Sequence, residues 1–248
     1  MKQPTIIIVA VTIIAVAVVI VGAFTFLNAA FAPLERRQDT STNIATQNVE
    51  IQATTFNGNI EIQLSSVNAL EIIYNVEAPK GHLNEIETAT INQTKNQDNL
   101  ILAAAQIRNS NGELRVNYRA DILIKLPNTS KYNLTLQTQN GNIIKPLLND
   151  IKVTASTANG KVDIKDDNCT TITASSQNGN VKISLVQGTL FSVEATTGNG
   201  NVSYQGIALN TTTQTSTHLS GNTSNGKGNL NLALSTANGN ITIEYFSK

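Results

Sequence analysis

The stretch Thr157–Ile164 reads Thr-Ala-Asn-Gly-Lys-Val-Asp-Ile, and its pattern recurs along this 248-residue chain. The pattern is Thr or Ser, any residue, Asn-Gly, Asn or Lys, and then apolar residues at alternate positions. Further clear copies begin at Thr55, Ser176, Thr197 and Thr236, and a looser copy begins at Thr138. The looser copy has Lys145 where the others have their last apolar residue. Asn residues 140, 159, 178 and 199 are 19, 19 and 21 residues apart, and such regular spacing predicts a repeat architecture.

The residues on both sides of each Asn-Gly alternate between apolar and polar. Val153 and Ala155 precede the pair at 159–160, and Val162 and Ile164 follow it. An alternation of period two is typical of a β-strand. Each unit is therefore predicted to hold two short strands joined at Asn-Gly, where glycine adopts the positive φ that a turn requires. The predicted structural turns are Asn57, Gly58, Asn140, Gly141, Asn159, Gly160, Asn178, Gly179, Asn199, Gly200, Asn238 and Gly239.

Two all-β architectures accommodate such units. In a β-solenoid each unit is one coil of about 19 residues and equivalent strands stack in parallel, ~4.8 Å apart. In an antiparallel β-meander or sandwich each Asn-Gly would form a hairpin turn. Equal spacing favours the solenoid, because stacking requires coils of equal length. The small apolar residues at the inward positions, with no Trp and 4% aromatic residues, are also typical of a narrow core.

The chain divides into an N-terminal segment and one repeat domain. The β-repeat domain is predicted at 49–248, with longer strands at 49–130 and Asn-Gly coils at 131–248. The rhythm is lost at 205–231, which is polar and low in complexity and is predicted to be an excursion from the stack. The longer strands are expected to cap the coils, since an open end would expose unpaired strand edges.

The first 32 residues are predicted to be a membrane anchor. Ile6–Leu27 is almost entirely apolar, and 22 residues at ~1.5 Å each span about 33 Å against a hydrocarbon core of ~30 Å. The alternative is a cleaved signal peptide, because Ala30-Phe31-Ala32 matches the small-residue cleavage pattern. Residues 33–48 are then a linker. The repeat domain is expected outside the cell membrane on a single-pass anchor.

The composition excludes several classes of function. Lys and Arg number 17, as do Asp and Glu, so the attraction to phosphate that nucleic-acid binding requires is missing. His82 and His218 have no second ligand at metal-binding spacing, and Asp166 with Asp167 supplies too few oxygens for calcium. The acidic turn before Cys169 should raise the pKa of that thiol and leave it unreactive. We therefore predict no catalytic residue, metal or cofactor.

Glycosylation is a further possibility in a host that performs it. Acceptor triplets are frequent, about as frequent as the Asn, Ser and Thr content produces by chance. The candidate sites are Asn210 and Asn222, which lie in the excursion.

From about Asn48 to the C-terminus the chain resembles the adhesin-like microbial family with β-strand repeats known as domain of unknown function 4097 (DUF4097). The resemblance rests on the longer-stranded first half, the Leu126-Pro127 segment and the tandem Thr-x-Asn-Gly units. It implies a solenoid-like β-domain that is commonly exported or membrane-anchored, with no catalytic residues to transfer.

The sequence thus predicts a non-enzymatic surface module. Its expected partners are the membrane, through the N-terminal helix, and a cell-envelope glycan or surface protein. The alternative function is an envelope-stress sensor or accessory subunit that docks on a membrane partner.

Overall fold

The computed structural model describes residues 33–44, 48–95, 98–108, 117–148, 150–166, 168–223 and 229–247. The anchor predicted at 1–32 lies outside these residues. Within the described ranges no helix is both long enough and apolar enough to cross a membrane.

The described residues form an all-β structure of two sheets, with nine and ten strands, and one short 3-10 helix at Leu83–Glu85. In chain order the strands are β1 (Leu34–Ile44), β2 (Asn48–Asn57), β3 (Ile60–Ser65), β4 (Ala69–Pro79), β5 (Ile86–Lys95), β6 (Asp98–Ile107), β7 (Arg119–Pro127), β8 (Lys131–Asn140), β9 (Ile143–Lys145), β10 (Asp150–Asn159), β11 (Val162–Asp166), β12 (Thr171–Asn178), β13 (Val181–Val186), β14 (Phe191–Asn199), β15 (Val202–Gln205), β16 (Leu209–Gln214), β17 (His218–Thr223), β18 (Leu230–Asn238) and β19 (Ile241–Phe246).

Each Asn-Gly unit gives one strand to each sheet. The strand before Asn-Gly joins the ten-stranded sheet, and the strand after it joins the nine-stranded sheet. Equivalent strands pair in parallel and in register, so that Val162 lies beside Val181 and Ile164 beside Ile183. The predicted parallel stacking of equivalent strands is confirmed by these registers, and the antiparallel meander is wrong for the repeat region.

The inward positions of the strands form one continuous dry core between the two sheets. Val162, Val181 and Ile241 are completely buried, as are the alanines at the middle position of β10, β12 and β14. Val202 is half-buried, because it lies on β15 at the edge of the nine-stranded sheet. The period-two alternation therefore identified the buried face.

The spatial order of the coils differs from their order in the chain. The coil β18–β19 lies between β12–β13 and β14–β15, and the coil β2–β3 lies between β6–β7 and β8–β9. The expectation that successive segments stack on one another is thus wrong at both ends of the repeat region. The coils share one register, so stacking alone does not require that coils consecutive in the chain be neighbours in space.

Antiparallel strands close both ends of the stack. At one end β17 pairs antiparallel with β14, and β16 pairs with β17. The segment 205–231 was predicted to leave the stack, and that prediction is wrong for β16 and β17, which continue the ten-stranded sheet. Leu219, Gly221 and Thr223 face inward there, a short alternation that the surrounding Thr and Ser residues conceal.

At the other end the long strands β4 and β5 pair antiparallel with β7 and β6. The expected capping by the first half of the domain is therefore present. The linker predicted at 33–48 is wrong for Leu34–Ile44, because these residues form β1, which pairs antiparallel with β4 over its whole length. This strand is polar, so it lacks the apolar alternation by which a strand is recognised. Its side chains contribute to its attachment, since Arg37 donates to the carbonyls of Leu83 and Ile86.

Candidate functional site

The Asn-Gly corners are tied together by three rows of contacts that run along the stack. In the first row the buried Thr or Ser of each unit donates a hydrogen bond to the glycine carbonyl of the neighbouring coil. Thr157 Oγ1 lies 2.9 Å from Gly141 O, and Ser176 Oγ lies 3.0 Å from Gly160 O. Equivalent bonds are made by Thr138, Thr197 and Thr236, and Thr55 donates instead to the carbonyl of Ala120 at 2.7 Å. The recurring hydroxyl of the pattern thus satisfies a carbonyl that would otherwise be buried without a partner.

The second row is a ladder of asparagine side chains. The amide nitrogen of Asn159 donates to the side-chain oxygen of Asn140 at 2.6 Å, and Asn178 donates to Asn159 at 2.8 Å. The ladder runs in spatial order through Asn57, Asn140, Asn159, Asn178, Asn238 and Asn199. Asn57 donates to the carbonyl of Tyr118. The Asn residues of the motif therefore link coils to one another and do not merely tolerate a turn.

The third row is the close approach of the glycines. A Cβ built on Gly141 would lie 1.9 Å from Gly58 O, and one on Gly179 would lie 1.9 Å from Gly160 O. Positive φ was the predicted reason for glycine. Four corner glycines have it, with φ of 155–159°, whereas Gly58 and Gly141 do not. What the corner glycines share is the lack of space for a side chain against the next coil.

A shallow groove crosses the outer face of the ten-stranded sheet next to these corners. It has a volume of about 940 Å³ and runs over β6, β2, β8, β10, β12, β18 and β14. Its lining residues carry no charge: they are mainly Thr, Ser, Gln and Ala, with Phe56 near one end. Seven strands ~4.8 Å apart make a groove about 29 Å long. Such a surface can receive an extended, uncharged, polar chain.

A second feature is a polar cluster inside the core, formed by Lys145, Asp150, Asp166 and Cys169. The side chains of Lys145, Asp150 and Asp166 have no exposed surface, and Cys169 is 4% exposed. Lys145 pairs with Ile164 in the strand register, and Asp166 pairs with Leu185. Two charged residues therefore occupy positions that are aliphatic in neighbouring coils.

The contacts within this polar cluster are short. Lys145 Nζ lies 2.8 Å from Asp150 Oδ2 and 3.5 Å from Asp166 Oδ1, and it donates to the carbonyl of Lys165 at 2.7 Å. The Cys169 thiol donates to Asp150 Oδ2 at 3.2 Å, and its backbone N–H donates to Asp166 Oδ2 at 3.0 Å. Asp150 Oδ1 has no hydrogen-bond partner. Every other buried side-chain nitrogen or oxygen in the described residues has one.

Burial controls the protonation of the polar cluster. Desolvation raises the pKa of Asp150 to about 6, although the neighbouring Lys145 opposes the rise. Desolvation also raises the pKa of the Cys169 thiol far above its ordinary value, and the Asp150 and Asp166 carboxylates add to the rise. The direction predicted for this thiol from its acidic neighbours is thus confirmed, with burial as the larger cause.

The sequence signalled part of this cluster. Lys145 was recognised as a departure from the apolar pattern, but its partner Asp150 was not identified, because it precedes the alternating part of β10. Asp150, Asp166 and Cys169 place potential ligand atoms within 4.8 Å of one another, yet Lys145 Nζ already lies against both carboxylates. Asp167, the other half of the acidic pair considered for calcium, is outside the described residues.

The remaining candidates lie apart from both features. His82 pairs with Glu85 at 2.6 Å and His218 with Glu194 at 2.9 Å, both on the surface. Asn210 and Asn222 face each other across the β16–β17 hairpin, so the two glycosylation candidates lie in strands and not in a loop.

Comparison with known proteins supports the resemblance to DUF4097. Residues 147–244 match the family model described as Toastrack DUF4097. No curated protein matches the chain significantly.

One solved structure shares the fold at low sequence identity. A crystal structure named as a putative cell adhesion protein from Clostridium sporogenes is 15% identical, with a TM-score of 0.66, over 85% of this chain and 100% of the other. A structure named as a putative adhesin from Bacteroides fragilis is 13% identical, with a TM-score of 0.29, over 85% of this chain and 97% of the other.

Proposed function

We propose that the chain is a non-enzymatic interaction module of the cell surface, a β-solenoid whose uncharged groove binds a neutral glycan chain of the cell envelope. The observation that carries this proposal is the groove itself, which crosses seven strands without one charged lining residue. The proposal agrees with the names of the structural neighbours, which call those proteins adhesins or cell adhesion proteins.

The chemistry of the groove favours a glycan over a charged partner. A nucleic acid or an acidic polymer would require basic side chains to offset the loss of counterions and water, and the lining offers none. The hydroxyl and amide groups of the outward-facing Thr, Ser and Gln residues, such as Thr54, Ser156 and Gln137, can donate and accept hydrogen bonds at the same time, as sugar hydroxyls do. Because the strands repeat every ~4.8 Å, these groups form a regular track for a repeating polymer.

The parallel stack is suited to hold that track rigid. The corner rows of hydroxyl, amide and backbone contacts run through all six Asn-Gly coils. We propose that the apolar segment Ile6–Leu27 anchors the domain in the membrane and that the domain faces outward. Protease treatment of intact cells tests this topology, and we expect the protease to digest the domain from the outside. If the domain stays intact in whole cells but is digested in a lysate of the same cells, the proposed topology is wrong.

Charge placed in the groove tests the binding surface. Gln139→Arg combined with Gln177→Arg puts two cations on exposed groove residues. The matched control is Thr213→Arg, on an exposed position of β16 that does not line the groove. We expect the double variant to lose binding of the full-length protein to neutral envelope polysaccharide by tenfold or more, while the control binds like the wild type.

The outcomes separate the possible partners. If the double variant still binds envelope polysaccharide like the wild type, the groove is not the binding surface. Binding that is abolished by removing envelope proteins but not by removing polysaccharide would assign a surface protein instead of a glycan.

A further inference from the structure

The buried polar cluster places an amine against a carboxylic acid, with a second acid beside both. Lys145 Nζ lies 2.8 Å from Asp150 Oδ2 and 3.5 Å from Asp166 Oδ1, and all three side chains are fully enclosed. We propose that Lys145 and Asp150 react with each other to form an intramolecular amide bond, and that Asp166 relays the protons. This inference is independent of the groove.

The dry surroundings favour the protonation state that such a reaction needs. With all groups ionised the three side chains would hold one positive and two negative charges, and an uncompensated charge in the core is strongly unfavourable. One proton on Asp150 makes the cluster neutral overall. Moving the Lys145 proton to Asp166 then leaves a free amine and two neutral acids, with no separated charge. The raised pKa of Asp150 agrees with this distribution.

The atoms of the reaction balance without an oxidant or cofactor. The Lys145 Nζ lone pair attacks Asp150 Cγ and forms the C–N bond, while Asp166, a neutral acid after the first transfer, gives its proton to the departing oxygen and takes one from the nitrogen. The Cγ–O bond then breaks and that oxygen leaves as water. Asp166 ends as the neutral acid that the first proton transfer produced, and one amine and one acid have become one amide and one water.

The hydrogen bonds of the cluster suit the product. Asp150 Oδ1, the buried oxygen with no partner, is the atom that would leave. Oδ2 would remain as the amide carbonyl and would still accept from the Cys169 thiol. The single amide N–H would keep the bond to the Lys165 carbonyl that Nζ now makes. Amide formation therefore removes a buried oxygen that has no hydrogen-bond partner and that is unfavourable in the core.

The bond would join the end of β9 to the start of β10 and so would close the corner where the chain passes from one sheet to the other. The sequence contains one cysteine, so an intrachain disulfide is not available for this purpose. A covalent bond at this corner would hold the two sheets together at the point where Lys145 replaces an aliphatic residue of the core.

Mass spectrometry of the purified full-length protein tests the proposal directly. Trypsin cleaves after Lys131 and Lys152 but not at Lys145, which Pro146 follows, so one peptide, Tyr132–Lys152, contains both reacting residues. We expect this peptide to be lighter by one water molecule and to give no backbone fragments between Lys145 and Asp150, because these residues close a ring. A peptide of unmodified mass from the folded protein would overturn the proposal.

Variants distinguish the amide from other losses of water and test the relay. A cyclic imide at Asp150 would also remove water, but it would persist in Lys145→Met and would leave the backbone fragments intact; that result would overturn the amide. Asp166→Asn keeps both reacting groups and should leave the peptide at its unmodified mass. Asp163→Asn, on the outward side of the same strand, should still lose water.

Circular dichroism of each variant establishes that it is folded. Water loss that continues in a folded Asp166→Asn variant would overturn the role of Asp166.

Discussion

At the scale of single residues, each position of the Thr-x-Asn-Gly pattern is explained by a contact with the next coil. The Thr hydroxyl binds a glycine carbonyl, the Asn amide binds the neighbouring Asn, and the glycine leaves room for the backbone of the adjacent coil. The pattern is therefore a record of stacking and not of an isolated turn. This distinction makes different predictions for glycine substitutions at corners and in ordinary turns.

Gly141→Ala tests the steric explanation without a conformational one. Gly141 has no positive φ, but its new Cβ would lie 1.9 Å from Gly58 O, so adjacent coils must move apart. We expect a loss of about 2–3 kcal/mol in the free energy of unfolding, near the upper range for overpacking, measured by urea denaturation. The control is Gly81→Ala, which has a φ of +86° and no atom within 4 Å; it should lose only about 1 kcal/mol, the cost of a left-handed residue. Equal losses would show that the close approach relaxes easily.

Thr157→Val tests the buried hydroxyl row. Valine has nearly the same shape but cannot donate to Gly141 O, which then loses its 2.9 Å bond from Thr157. An unsatisfied buried carbonyl costs about 1–3 kcal/mol, and we expect a loss in that range in urea denaturation. Thr173→Val on the outer face of β12 is the matched control and should change stability by less than about 0.5 kcal/mol. A silent Thr157→Val would mean that water reaches the carbonyl.

At the scale of elements, the strands that could be predicted are those with an apolar face. The alternation around Asn159 and Asn178 identified β10–β13 and their inward residues, because burial on one face requires period two. The strands β1 and β16 were missed because they are polar and lie at sheet edges. The strand β17 was missed because Thr and Ser residues surround its short alternation. The buried cluster was half visible for a related reason: Lys145 breaks a repeating position, whereas the strand start that carries Asp150 has no repeat to break.

Removal of the β16–β17 hairpin tests its role as an edge cover. We expect that replacing Leu209–Thr223 with a short Gly-Ser linker exposes the edge of β14, which now pairs with β17. Unpaired strand edges associate with other chains, so the variant should form dimers or larger species in light scattering after size-exclusion chromatography. Adding Ser192→Lys on β14 should reduce that association, since charged residues blunt an edge. A variant that remains monomeric would show that the hairpin does not protect β14.

At the scale of the whole molecule, the order of the coils makes the two ends interdependent. The C-terminal coil β18–β19 separates β12–β13 from β14–β15 and pairs with both. The coil that the chain forms next to last is thus held in place by the coil that it forms last. Folding of this end cannot be completed one coil at a time along the chain.

Truncation before Leu230 tests this dependence. Without β18 and β19, the strands β14 and β15 lose their parallel partners, and only the antiparallel pairing of β14 with β17 remains. We expect hydrogen exchange to show loss of protection throughout Phe191–Thr223, while β8–β11 stay protected because their pairings do not involve the missing coil. The strands β12 and β13 lose one of their two partners and should keep protection on the side of β10 and β11. Since all coils share one register, β14 has an alternative partner in the exposed edge of β12. If β14 keeps its protection and the exposed edge of β12 is also protected, β14 has paired with β12. That result would show that the coils are interchangeable and that the connections alone impose the native order.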